Sequence, residues 1–200
     1  MKRSFLVIIG IFVFIGLIVL IVFLSSISTY NKMVSYEESV TKSWSDVENQ
    51  YQRRAELIPN LVNTVKGYAD FEQETLTQVI EARAKATSVN LTAENLNDQT
   101  LAQFQQAQDG LSSALARLMV VVEKYPDLKA NQNFMELQAQ LEGTENRIAV
   151  ERRKFNEETR TYNTYVRRFP AKIFAGFYGF EQKPYFEAAE GADKAPEVKF

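Results

Sequence analysis

The chain has no cysteine and no histidine. Without cysteine there is no disulfide framework, no thiol nucleophile and no thiolate metal site. Without histidine the commonest general base, the commonest metal ligand and the usual partner of a catalytic serine are all missing. Acidic residues remain for an oxygen-ligated metal, but no EF-hand spacing and no paired E-x-x-H motif organises them. No catalytic, metal or cofactor site is therefore expected. A basic excess is also lacking. Beyond Lys2 and Arg3 the chain holds 21 basic against 25 acidic residues, which argues against nucleic acid as a partner. Glycine and proline are scarce between residues 25 and 169, with Gly67, Gly110, Gly143, Pro59 and Pro126 alone, and alternating strand-like runs are absent.

What is present is first a run of twenty apolar or glycine residues, Phe5 to Leu24. As a helix at about 1.5 Å per residue it covers the roughly 30 Å of a bilayer's hydrocarbon. A cleaved signal peptide has a shorter apolar region, of about 7–15 residues, and an A-x-A site that Ser25-Ser26-Ile27-Ser28 does not supply. Residues 1–29 thus read as a short cytoplasmic N-terminus and an uncleaved single-pass anchor. Lys2 and Arg3 before the span, against Lys32 behind it, favour a cytoplasmic N-terminus and an extracytoplasmic domain at the inner membrane of a bacterial envelope.

The rest is helical by its spacing of apolar residues at threes and fours. One stripe reads Tyr30, Met33, Val40, Trp44, Val47, Tyr51; a second reads Leu61, Val65, Tyr68, Leu76, Val79, Ala82, Ala86. Ile58-Pro59 lies between them. Proline removes one helical hydrogen bond, so the chain either kinks or turns back there. The unbroken register through Val40, Val47, Arg54, Leu61 and Tyr68 supports a kink. Length favours a turn, because an unbroken helix would leave the Val40–Tyr51 stripe without a partner. We take the turn as the expectation. Thr92 is expected to cap a third helix that ends at Tyr125-Pro126-Asp127, and a last one should run from about Asn131 to Arg168. The fold class is then all-α, a transmembrane helix followed by an antiparallel up-and-down four-helix bundle over residues 30–187. Its aromatic segment, 169–187, carries Phe174, Phe177, Tyr178, Phe180, Tyr185 and Phe186. Residues 188–200 read as a disordered tail.

Two stretches are more specific than periodicity: RRAELIPNLVNTVKGYADFEQETLTQVIEARAKA (53–86) and LEGTENRIAVERRKFNEETRTYNTYVRRFPAKIFAGFYGFEQKPYFE (141–187). With the anchor and the following YNKMV, they resemble the LemA family. The positions that carry the resemblance are Arg53, Arg54, Leu57, Ile58, Pro59, Asn60, Leu61, Lys66, Gly67, Tyr68, Arg147, Tyr162, Asn163, Phe169 and Pro170. The resemblance implies a membrane-anchored helical bundle and brings no enzymatic activity, cofactor or ligand with it. Phe71-Glu72 and Phe155-Asn156 depart from the His-Glu and Tyr-Asn of many relatives, while Tyr162-Asn163 is intact.

Four charged residues, Arg54, Glu72, Glu145 and Arg152, fall on seam positions where leucine would be expected. Charges in a bundle core are costly unless paired. They form a candidate polar layer, read either as structural pairs that fix helix register or as a site for a small ligand or ion. The aromatic segment likewise has two readings, a cap on the open end of the bundle or a membrane-facing surface. Taken together, these features describe a non-catalytic scaffold or interaction module. Its partners would be the bilayer through residues 5–24, an envelope protein and a second copy of the chain. A ligand or ion sensor using the polar layer is the alternative, and an acidic-residue hydrolase is the third.

Overall fold

A computed structural model describes residues 2–68, 72–93 and 95–187; Phe71 and the tail 188–200 lie outside the described residues. Six helices follow one another: α1 (Lys2–Lys66), α2 (Gln73–Ser88), α3 (Asp98–Val122), α4 (Pro126–Lys129), α5 (Gln132–Arg167) and α6 (Ala171–Tyr178). Among the described residues there is no strand. The chain divides into two compact units: Met1–Val40 with Arg160–Gln182, and Thr41–Thr159 with Lys183–Phe200.

The second unit is an antiparallel bundle of the C-terminal part of α1 with α2, α3 and most of α5. Its strand-free core is built by the heptad-like stripe Ile58, Leu61, Val62 and Val65 of α1, Leu76 and Val79 of α2, Leu111, Leu115 and Leu118 of α3, and Phe134 and Leu141 of α5. Leu128 of the one-turn α4 is fully buried beneath them. At this end Lys124, after α3, pairs with Glu72 before α2, and the Tyr68 hydroxyl, after α1, donates to the Asp127 carbonyl. Alternate helices therefore end and begin together, which is the up-and-down arrangement. At the opposite end Trp44 lies edge-on to Phe104 and Phe155, at 5.5 and 5.8 Å, and its indole N–H donates to the Leu91 carbonyl at 3.2 Å. Burial of the ring with its one polar atom satisfied makes it a strong apolar node.

The turn expected at Pro59 does not occur. Pro59 is inside α1, which spans 65 residues, or about 98 Å, and ends only at Lys66. Leu61 and Val65 therefore belong to the first helix and not to the second, and Tyr68 lies just beyond its end. The physical reason is a tertiary bond. Proline at 59 has no N–H for the carbonyl of residue 55, four positions earlier. That carbonyl instead accepts from the Arg83 Nε of α2 at 2.8 Å. Of the stripe that the turn was invoked to protect, Trp44 and Tyr51 pack on Phe104 of α3, and Trp44 also packs on Phe155 of α5 and bonds the Leu91 carbonyl.

A second expectation also fails. Thr92 does not cap α3; the helix starts six residues later. Asn97 is its N-cap, accepting from the Thr100 N–H while the Thr100 hydroxyl accepts from the Asn97 N–H, both at 3.0 Å. This reciprocal box satisfies two terminal donors, which a lone Thr92 could not do. The Thr92 N–H itself is held by the Asn95 side chain at 2.8 Å.

In the first unit, α1 carries the apolar run, and no part of its most apolar window is buried. The N-terminal end of α6 follows a cis Phe169–Pro170 peptide, and Gly179 closes it in the left-handed conformation at φ 78°.

Removing the Arg83 head group should orphan the Ala55 carbonyl. Arg83→Met is expected to cost about 1–3 kcal/mol in denaturant unfolding of the full chain. In a Pro59→Ala background, where the backbone N–H returns, the same substitution should cost less than half as much. Equal costs in the two backgrounds would rule out the compensation.

Candidate functional site

Of the four residues of the candidate polar layer, the fold joins two. Arg54 is 1% exposed in the second unit, between Tyr51 and Ala55 on the core face of α1. One guanidinium nitrogen donates to Glu145 Oε2 at 2.7 Å and to the Ser112 hydroxyl at 2.8 Å. The other donates to the Gln108 side-chain oxygen at 2.7 Å and its backbone carbonyl at 3.3 Å. Gln108 extends the chain of bonds, donating from Nε2 to the Ala86 carbonyl at 3.2 Å. A single side chain of α1 thus ties α3 and α5, and α2 through Gln108. The guanidinium also stacks over the Tyr51 ring at 5.2 Å. Burial pushes the Tyr51 phenol above its ordinary range, against the opposing pull of Arg152 and Arg54.

Glu72 and Arg152 lie elsewhere. Glu72 pairs with Lys124 at 3.2 Å on the surface and accepts from the Thr75 hydroxyl at 3.4 Å. Arg152 reaches the Glu187 carbonyl at 2.9 Å and covers the Phe186 ring at 4.6 Å. Gln108 and Ser112 complete the Arg54 cluster and carry no signal of their own in the sequence. Both occupy α3, at positions four apart that face one side chain on α1. Among the described residues no group of three or more carboxylates is arranged to hold a metal ion.

The family-motif positions divide by burial. Ile58 and Leu61 are core, Leu57 packs against them, Lys66 and Gly67 end α1, and Arg53, Pro59 and Asn60 are exposed. Arg147 is exposed and donates to the Thr144 hydroxyl at 3.4 Å. In the first unit, Tyr162 and Asn163 are buried, and the Tyr162 hydroxyl donates to the Glu181 carbonyl at 2.7 Å. Burial, with the Glu37 and Glu181 carboxylates, pushes the Tyr162 phenol far above the ordinary tyrosine range.

The aromatic segment also divides. Phe186 is buried in the second unit, stacked on Trp44 at 6.0 Å and edge-on to Phe155 at 5.4 Å. Its backbone N–H and carbonyl both bond the Asn156 amide, at 2.9 and 3.0 Å. Tyr185 is exposed. In the first unit, Tyr178 and Phe180 pack edge-on to Tyr30, Phe174 is half-buried, and Phe177 is exposed.

The sequence profile of the LemA family matches residues 43–200, which covers the bundle, the Arg54 cluster and the aromatic segment. The chain belongs to the LemA family. It is 27% identical over 181 residues to the magnetosome protein MamQ of Magnetospirillum gryphiswaldense, covering 82% of this chain and 66% of that one. MamQ 2 of Paramagnetospirillum magneticum is 28% identical over the same shares. Protein LemA of Metamycoplasma hominis is 22% identical over 160 residues, 80% of this chain and 69% of that one. The chain thus spans just under two thirds of the length of the magnetosome relatives. Within this LemA-family protein, Arg54, Ile58 and Leu61 of the motif are buried, while Arg53, Pro59 and Asn60 are exposed.

Glu145 is half exposed while Arg54 is not, so losing the carboxylate leaves a charge in the core and losing the guanidinium does not. Glu145→Ala should cost about 2–3 kcal/mol, and adding Arg54→Met to it should cost nothing further or restore stability. A double substitution clearly less stable than Glu145→Ala would contradict this. For Tyr162 the sign follows from its raised pKa. The unfolded phenol loses its proton near pH 10 and the folded one later, so this stabilisation is complete below about pH 10 and declines as the pH rises further. Thermal melts in detergent should show that Tyr162→Phe flattens the decline above pH 10; identical alkaline limbs would refute the assignment.

Proposed function

We propose that this LemA-family protein is a non-catalytic, single-pass membrane module whose bundle serves as a docking scaffold for another envelope protein. Residues 5–24 are the anchor, the N-terminus is cytoplasmic and the domain is extracytoplasmic. The observation that carries the scaffold reading is the Arg54 cluster. Its guanidinium nitrogens bond four protein acceptors that span the bundle, and in this way the cluster sets helix register. That use of the layer favours a rigid module over the ligand or ion sensor. Membrane association is supported by the exposed apolar run.

A surface suited to a partner is the groove between α2 and α3, a cavity of about 600 Å³ lined by Gln78, Glu81, Lys85, Gln103, Gln106 and Arg117 among others. Mixed charge and amide groups on two parallel rims suit a polar helix face. A photoreactive residue at Gln106, and separately at Lys85, should crosslink in native membranes to one discrete heterologous protein. An adduct of twice the chain's mass would replace that partner with a second copy. Uncrosslinked chain at both positions would overturn the docking role of this groove.

A further inference from the structure

The surface of α6 is amphipathic in an unusual sense: its buried side is small and its exposed side is large. Ala171 and Ala175 face inward, while Ile173 and Phe177, four residues apart on the other face, are 62% and 82% exposed. Phe169, just before the helix, is 81% exposed. Large apolar side chains grouped on a surface signal an uncovered contact.

What covers them is indicated by where α6 is fastened. The Tyr178 hydroxyl and Ser26 Oγ are 2.7 Å apart, and the Tyr30 ring lies edge-on to Tyr178 at 5.0 Å and to Phe180 at 5.6 Å. Ser26 and Tyr30 are two and six residues beyond Leu24 on the same helix. At the helical rise they lie roughly 3 and 9 Å past the end of the apolar run. The headgroup layer on each side of a bilayer is about 5–8 Å deep, so the Tyr178 end of α6 is fastened in or just beyond that layer. The charge agrees. Between Arg167 and Phe180 there are three basic residues, Arg167, Arg168 and Lys172, and no acidic one. Arg168 stacks over the Tyr165 ring at 4.3 Å and Lys172 is exposed. Exposed aromatic and aliphatic side chains beside cations are the composition of an element lying in the interface of an anionic membrane.

We propose that α6 is an interfacial membrane-binding helix. Phe169, Ile173 and Phe177 enter the headgroup–acyl boundary of the membrane that residues 5–24 cross, and Lys172 with Arg167 faces anionic lipid headgroups. The proposal rests on the reading of residues 5–24 as the span, and goes beyond it by giving the domain a second lipid contact.

The absence of cysteine makes single-cysteine labelling clean. The full chain is reconstituted in vesicles of anionic and zwitterionic phospholipid that carry nitroxide-labelled acyl chains. A fluorophore is placed at Ile173→Cys, Phe177→Cys, Ile18→Cys within the span, or Glu38→Cys, about 21 Å beyond Leu24 along α1. Labels at 173 and 177 are expected to be quenched to within about twofold of the label at 18, with the label at 38 at background. Replacing the anionic lipid should lower quenching at 173 and 177 and leave position 18 unchanged. An unquenched label at 18 would remove the span and the proposal together. A quenched label at 18 with 173 and 177 at background would overturn the interfacial helix alone. So would protection of 173 and 177 only in native membranes, which would assign the stripe to a protein.

Discussion

Proline 59 takes a hydrogen bond out of the long first helix, and Arg83 of α2 replaces it. The substitution of a side-chain donor for a backbone donor lets α1 continue for seven residues beyond the proline. Those residues hold Leu61, Val62 and Val65, all buried in the core. An interior proline costs a helix about 3 kcal/mol or more, and much of that is the orphaned carbonyl. With the carbonyl satisfied from α2, the proline also ties α1 to its neighbour.

The bundle uses the same device repeatedly, fixing helix register with polar groups that reach from one element to another. Arg54 joins α1 to α3 and α5, Gln108 joins α3 to α2, and Trp44 bonds the loop after α2. Apolar stripes alone allow a bundle to slide by a turn or exchange neighbours. Directional bonds from buried donors do not, because a shift strands them without acceptors. The most demanding chemistry seen in the bundle is thus structural.

Much of this could be read from the residues in order. The apolar run, the helical class, the final long helix and the LemA-family motif follow from spacing and composition, because those features depend on neighbours within a few positions. The seam charges at Arg54 and Glu145 were visible for the same reason. Glu72 and Arg152 carried the same signal, yet belong to a surface pair and to the anchoring of the 186–187 backbone. Position on a seam shows that a charge needs a partner, without showing which one.

What the sequence by itself determined is the apolar segment, the helical class, the inward faces of most helices, and the lack of histidine and cysteine. Each is a property of local chain composition. Only the tertiary structure decided where α1 ends, which residue caps α3, which acceptors Arg54 meets, and that Phe186 is buried while Phe177 is not. All four depend on groups far apart in the chain: Arg83 lies 28 residues from the carbonyl it satisfies, and Glu145 lies 91 residues from Arg54. Periodicity carries no information about such pairs, because a hydrogen bond is decided by distance and direction in space.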